Sequence, residues 1–257
     1  MRRKDRLEKM VAILRERGNA SIEYLANWLD TSDSTIRRDI NYMCALPEYA
    51  FIKKVIGGLI LLDQKMGLEY MFGLKLDLNS ELKQRIALKA LEYVDDGDSL
   101  ILDSGTTCLV LARLLHQRRG IRVLTTDVKV AEELGRYADI ESLIIAGNIR
   151  PGYFTIGGDI AVSSLNSFNV EKAFLSADAV DIARGVTNSS AFEVGVKKKI
   201  LEISARAYLL ADHTKFNKVA MYQVTGIESF TQVISDALLE QSCQEALRER
   251  RISLDVV

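Results

Sequence analysis

The chain has 257 residues, 48% hydrophobic and 27% charged, with 34 basic against 35 acidic side chains and a net charge of −1. At about 100–200 residues per domain, this composition fits a large packed domain with a small companion, and it excludes global disorder and a uniformly basic nucleic-acid coat. No apolar run reaches the roughly 18 residues of a membrane span, and the N-terminal MRRKDRLEKM has charge with no apolar stretch behind it, so neither a membrane partner nor a secretory signal is expected. Three separated cysteines (Cys44, Cys108, Cys243), with no C-x-x-C pair, argue against a disulfide framework or zinc site and fit a reducing cytoplasm. Only His116 and His213 are present, which excludes a multi-histidine metal centre; no metal and no cofactor is expected.

The charge is unevenly spread. Residues 1–62 hold 11 basic and 8 acidic side chains, whereas the remainder holds 23 and 27, a basic head on an acidic body. In the head, Leu7, Met10, Val11 and Leu14 form the stripe of a first helix ending near Gly18. Ser21 caps a second helix with Ile22, Leu25, Ala26 and Leu29 inward, and Ser32 caps a third with Ile36, Ile40 and Met43 inward. The third helix turns Ser34, Thr35, Arg37, Arg38 and Asn41 outward. Two short helices joined by a tight turn make a helix-turn-helix whose second member can read a major groove: hydroxyls near its N-terminus meet phosphate or bases, and Arg pairs with guanine. A three-helix bundle with a solvated Arg pair has the same spacing. Phe51–Leu62 (FIKKVIGGLILL) then reads as a hairpin turning at Gly57-Gly58, with Lys53 and Lys54 on its first strand, in the position of a wing whose lysines meet phosphates.

The run Ser32-x-x-Thr35-Ile36-Arg37-Arg38-Asp39-Ile40, followed by the Gly57-Gly58 hairpin, resembles the DNA-binding domain of the DeoR-type bacterial regulators of sugar metabolism. The likeness runs on over most of the chain. Two departures are local: the segment before the hairpin is longer and contains Pro47, and Ile56 stands where the family often has His.

Residues 63–80 read as a linker, and 81–257 as a second domain. There, apolar runs at 99–102, 122–125, 142–146, 173–176, 208–211 and 232–235 alternate with helical patterns at 81–94, 107–117, 128–137, 159–168, 193–205 and 237–249. Such alternation predicts an α/β fold with a mainly parallel sheet, whose ligands bind beyond the carboxyl ends of the strands. Those ends are polar. Asp103-Ser104-Gly105-Thr106-Thr107 leads into a helix, where a glycine turn, hydroxyls and a helix N-terminus suit an anion; plain helix capping by Thr106 is the competing reading. Other ends carry Thr125-Thr126-Asp127, Ala177-Asp178 and Asp212-His213-Thr214-Lys215, a set that fits a small polyhydroxy ligand with a charged group.

This half resembles the family's effector domain, related in fold to ribose-5-phosphate isomerase. The resemblance implies that Asp103 and Ser104–Thr107 belong to a sugar-phosphate cradle, with Thr125, Thr126 and Asp127 near it, and pocket roles for Asp178, Glu193, Lys197, Asp212 and Lys215. Thr126-Asp127 replaces the usual Asn-Ser, Ala146-Gly147 replaces Gly-Gly, and Ser176 and Ala179 replace glycines. Glu193 and Lys197 also have the spacing of a helical i,i+4 ion pair. An isomerase-like enzyme with a helical appendage is the alternative, but Leu175 stands where the isomerase has a catalytic carboxylate. The resemblance therefore implies a cytoplasmic repressor of a carbohydrate-catabolic operon, binding double-stranded operator DNA as a homo-oligomer (dimer or tetramer) and relieved by a phosphorylated sugar or sugar acid, with no catalytic residues.

Overall fold

The helical stripes of the head and the strand–helix alternation of the body separate into two units, Met1–Ser80 and Glu81–Val257. The computed structural model describes every residue except 47, 48, 50, 62–71, 74, 151 and 152. Pro47, Leu62 and the expected linker through residue 71 thus lie outside the described residues. Within the first unit, Asp77 pairs with Arg17 at 2.9 Å and the Asn79 N–H donates to Glu23.

Helix α1 (Arg3–Arg17) ends at Gly18, whose left-handed φ of 74° lets its N–H reach back to the Leu14 carbonyl. Its buried stripe is Leu7, Met10, Ile13 and Leu14; Val11, expected inward, is half-buried at the stripe's edge. Strand β1 (Asn19–Ser21) follows, too short to leave a periodic signature. Ser21 caps α2 (Ile22–Trp28) by accepting from Tyr24, and Ser32 caps α3 (Asp33–Cys44) by accepting from Thr35. Ile36, Ile40 and Met43 are buried against α1 and α2, as their spacing requires. The hairpin of β2 (Ile52–Val55) and β3 (Gly58–Leu61) pairs with β1 into an antiparallel sheet ordered β1-β3-β2.

In the second unit, α4 (Ser80–Leu91) leads to β4 (Ser99–Leu102), α5 (Thr106–Leu114), β5 (Arg122–Thr125), α6 (Val128–Leu134) and β6 (Glu141–Ile144). A small hairpin of β7 (Asn148–Ile149) and β8 (Ile156–Gly157) precedes α7 (Asp159–Leu165) and β9 (Val170–Leu175). Then come β10 (Ala179–Asp181), β11 (Gly185–Asn188), α8 (Ala191–Ile203), β12 (Ser204–Leu210), β13 (Tyr222–Thr225), β14 (Gln232–Ser235), α9 (Gln241–Glu249) and β15 (Leu254–Val256). Seven of these strands form a parallel sheet ordered β15-β14-β12-β9-β4-β5-β6. The chain enters at β4, winds outward through β5 and β6, then crosses back to β9 on the other side of β4. That reversal between β4 and β9 is a topological switch point, and the crevice beyond the carboxyl ends of the strands at such a point is where these sheets take ligands. All six expected helices and all six expected strands are present, and the sequence reading missed β15 and the short antiparallel pieces β7, β8, β10, β11 and β13.

A buried acid in the middle of α3, directly after Arg37 and Arg38, ties that helix to α1. Asp39, 1% exposed, accepts from Arg6 Nε at 2.5 Å and Arg6 Nη2 at 3.2 Å, and from Arg3 Nε at 3.1 Å. This two-pronged bond locks α1 to α3 and leaves the arginines of α3 facing outward. Asp39→Ala strands the half-buried Arg6 guanidinium without its partner, and we expect a loss of about 2–4 kcal/mol in the first unit. Urea unfolding followed by the fluorescence of Trp28, the chain's one tryptophan, checks it.

Candidate functional site

On α3 the cap is a small hydroxyl cluster: Ser32 Oγ lies 2.9 Å from Ser34 Oγ and 3.0 Å from Thr35 Oγ1. Arg37 and Arg38 are exposed one turn further on, with no side-chain partner among the described residues. Lys53 on β2 is likewise exposed. Lys54 is not idle: its Nζ donates to Asn41 Oδ1 at 2.7 Å, tying the hairpin to the outward face of α3. The first unit therefore presents a hydroxyl-rich helix start, two arginines and a lysine-bearing hairpin fixed beside them.

In the second unit the polar residues follow the carboxyl ends of the parallel strands. Asp103, just past β4, accepts from the Ser176 N–H at 3.0 Å and from Lys197 Nζ on α8, and Lys197 also donates to the Ser176 carbonyl at 3.0 Å. Both charges are 2% exposed. Burial works against the Lys197 ammonium, but the Asp103 and Glu193 carboxylates more than offset it and raise Lys197 above its ordinary range. Ser176 Oγ donates to the Ser104 carbonyl at 2.5 Å, and a Cβ on Gly105 would come within 2.9 Å of that same Ser176 Oγ. Gly105 has φ +131°, so glycine is required both for the turn and for the approach of the two strand ends.

Gly105 is the N-cap of α5, and no side chain caps the helix. Capping by Thr106 is therefore corrected: Thr106 is the first helical residue, and the α5 N-terminus keeps its dipole with no side-chain cap. Thr107 and Cys108 are buried behind it, and burial pushes the Cys108 thiol well up, which makes it inert.

At the end of β5, Thr125 Oγ1 donates to the Leu102 carbonyl at 2.9 Å and accepts from the Asp127 N–H, a structural tie between neighbouring strands. Thr126 Oγ1 is buried without a hydrogen-bond partner among the described residues. Asp127 caps α6, accepting from Lys129 N at 2.8 Å and Val130 N at 3.2 Å, and it also takes the Gly105 N–H. Burial pushes its carboxyl up to about 6, with those three backbone donors opposing the shift and the Asp103 charge adding to it.

Helical spacing does not pair Glu193 with Lys197. Glu193 instead accepts from Arg150 Nη1 at 2.6 Å and Asn188 Nδ2 at 2.9 Å, while Lys197 takes Asp103. The i,i+4 ion-pair reading is corrected, because longer-range partners win both charges. Asp178 accepts from Ser189 N and Oγ, and Asp212 accepts from Thr214 N at 3.0 Å. Phe216 bridges to Val180, so the Asp212–Lys215 turn flanks the strand that follows Asp178. Lys215 is half-buried, with no ion-pair partner among the described residues. Leu175 is core.

Sequence reasoning missed Arg150, Ser176, Asn188 and Asp236. Arg150 lies beside a two-residue strand with no motif to flag it. Asp236, one residue past β14, could have been found as a strand-end carboxylate. It accepts from His213 N at 2.7 Å, His213 Nδ1 at 2.9 Å and Leu238 N at 3.0 Å. Asp212, His213 and Asp236 bring potential metal-ligand atoms within 4.8 Å of one another, yet these bonds already account for their orientation.

Asp127 gives a signed pH dependence. Its carboxyl titrates near 6 when folded and near the ordinary 3.8 when unfolded, so its protonated form favours folding below about pH 4 and that contribution is lost as pH rises through 6. Asp127→Asn keeps a capping oxygen and removes the ionisation. The variant is expected to be more stable than the parent by about 2 kcal/mol at pH 7.5, with the gain fading towards pH 4. Calorimetry at the two pH values checks this, and a pH-independent difference contradicts it.

Two family models match the chain: a DeoR-like helix-turn-helix domain over residues 6–65 and the DeoR C terminal sensor domain over residues 78–237. The chain is 38% identical over 240 residues to the putative sgc region transcriptional regulator of Escherichia coli (strain K12), covering 93% of this chain and 91% of that one. It is 27% identical over 254 residues to the putative aga operon transcriptional repressor of Escherichia coli O157:H7, covering 98% and 93%. It is 27% identical over 256 residues to the glycerol-3-phosphate regulon repressor of Escherichia coli (strain K12), covering 100% of both. Among solved structures, ribose 5-phosphate isomerase A from Methanocaldococcus jannaschii aligns with a TM-score of 0.41 at 19% identity, over 54% of this chain and 55% of that chain. No helix among the described residues is long and apolar enough to cross a membrane. The chain belongs to the DeoR family: it is a DNA-binding transcriptional regulator, not an enzyme, with the family's helix-turn-helix and sensor domains in one polypeptide.

Proposed function

We propose that this cytoplasmic regulator represses a carbohydrate-catabolic operon and that a phosphorylated sugar or sugar acid, bound at the β4–β9 crevice, relieves the repression. What supports the ligand class is the α5 N-terminus, beside Ser104, Thr106 and a Thr126 hydroxyl with no partner among the described residues. There the Gly105 N–H is held by Asp127, but the N-cap offers no side-chain oxygen to the N–H groups of the first turn. Neutral donors at a helix start suit a phosphate, and an uncharged sugar would leave part of that donor set unpaired. Lys215 adds a cation from another strand end. Asp127 and Asp178 are acceptors, so the ligand's hydroxyls face them and its phosphate turns towards Thr106, Thr107 and Lys215. Asp103 and Lys197 are spent on one another, Glu193 on Arg150, and Thr125 and Asp212 on local ties, and these residues shape the site from behind. The names of two relatives, an aga operon repressor and a glycerol-3-phosphate regulon repressor, support repression and a phosphorylated polyol class.

On the DNA side, Ser32, Ser34 and Thr35 meet backbone phosphate, Arg37 and Arg38 read bases, and Lys53 neutralises phosphate; Lys54 and Asn41 fix the hairpin against the reading helix. One reading helix covers few base pairs, so the chain acts as a homo-oligomer built on two-fold dimers.

Fluorescence anisotropy with a duplex selected by the full-length protein from a random pool tests both halves. Arg37→Ala is expected to weaken binding by about 1–3 kcal/mol and relax one base position. Addition of the matching sugar phosphate is expected to release wild-type protein, with Lys215→Ala requiring a higher concentration for release while binding DNA normally. Release by unphosphorylated sugars alone contradicts the ligand class, and unchanged binding by Arg37→Ala contradicts the interface.

A further inference from the structure

Ile56 is 95% exposed, at the turn between β2 and β3. Most exposed aliphatic residues need no account, but this one is held out on a fixed support. The Gly57 carbonyl accepts from the Ile22 N–H at 2.8 Å, and Gly57 itself sits at φ +87°. Leu78 packs so closely beneath Gly57 that an added Cβ would meet its Cδ1 at 2.6 Å. On the other flank, the Lys54–Asn41 bond ties the hairpin to the outward face of α3. The tip is thus braced from α2, from Leu78 and from the reading helix.

Its surroundings define what can cover it. Lys53 and Lys54 are exposed on the adjoining strand, so the tip is an aliphatic point on a cationic hairpin. A B-DNA minor groove offers the complement: a phosphate rim for Lys53 and sugar walls of C–H groups for the isoleucine. With α3 in a major groove, a hairpin bonded to the outward face of that helix stands beside the same duplex. We propose that Ile56 enters the minor groove next to the reading helix and favours A·T pairs there. Guanine's exocyclic amino group projects into that groove and obstructs an aliphatic side chain, whereas A·T pairs leave the floor open. The contact rests on the DNA-binding reading of α3 and adds sequence preference at positions α3 does not reach.

The test uses full-length protein and a duplex that it selects from a random pool. Ile56→Ala is expected to bind about fivefold to tenfold more weakly. The slope of log affinity against log salt should stay unchanged, since no phosphate contact is lost, whereas Lys53→Ala should lower that slope by about one. Replacing the A·T pairs under the hairpin with G·C should weaken wild type several-fold. Inosine·cytosine pairs, which have the major-groove face of G·C without the minor-groove amino group, should restore it, and Ile56→Ala should respond to neither change. Because Ile56 touches solvent, the variant should melt like wild type, and Ile56→Leu should bind like wild type. Wild-type affinity in Ile56→Ala, or equal loss with G·C and inosine·cytosine, overturns the proposal. If either result comes on a duplex where Arg37→Ala still weakens binding, only the Ile56 contact fails and the α3 reading stands.

Discussion

The buried pair of Asp103 and Lys197 is the constraint on which the ligand end of the second unit depends. Two unlike charges, each 2% exposed, face one another where the sheet changes direction. Isolated, either would be costly so far from water; together, and with the Ser176 N–H and carbonyl completing their bonds, they are tolerated. The pair ties the middle of α8 to the paired ends of β4 and β9, a contact between residues far apart in sequence. Because Asp103 is held from behind, the Ser104–Thr107 loop can cross over Ser176 and start α5 without a side-chain cap. The proposed anion site thus rests on a salt bridge that is itself spent inside the protein.

Helix α8 extends the same logic. One turn before Lys197, Glu193 holds Arg150 from beyond β7 and Asn188 from the end of β11. A single helix thus anchors the first strand end, the small β7–β8 hairpin and the β11 turn. Its residues set the shape of the crevice while their own charges are spent inside the protein. Asp127 acts differently. It caps α6 and takes the Gly105 N–H, placing a titratable carboxyl against the loop.

The sequence was legible where local rules decide. Ser21 and Ser32 read as caps and are caps, the stripe of α3 is buried as spaced, and the runs read as parallel strands pair as such. It was not legible where partners come from afar. Glu193 and Lys197 looked like partners of each other, but Arg150 and Asp103 took them, and nothing in helical spacing announces a contact 94 residues away. Strands of two or three residues, such as β1, β7 and β8, are too short for alternation to show. Asp39 is a similar case: in sequence it is an acid directly after an arginine pair, and in the fold it is the residue that α1 grips.

A double-mutant cycle at the buried pair tests the central claim most directly. Calorimetric unfolding of the second unit would be compared for wild type, Asp103→Asn, Lys197→Met and the double variant. The account predicts that each single change costs about 3–5 kcal/mol by leaving a buried charge or its partner groups unmatched, and that the double variant recovers well over 1 kcal/mol of the summed loss. Additive losses, with no recovery in the double variant, would contradict the pair as the organising contact of the crevice.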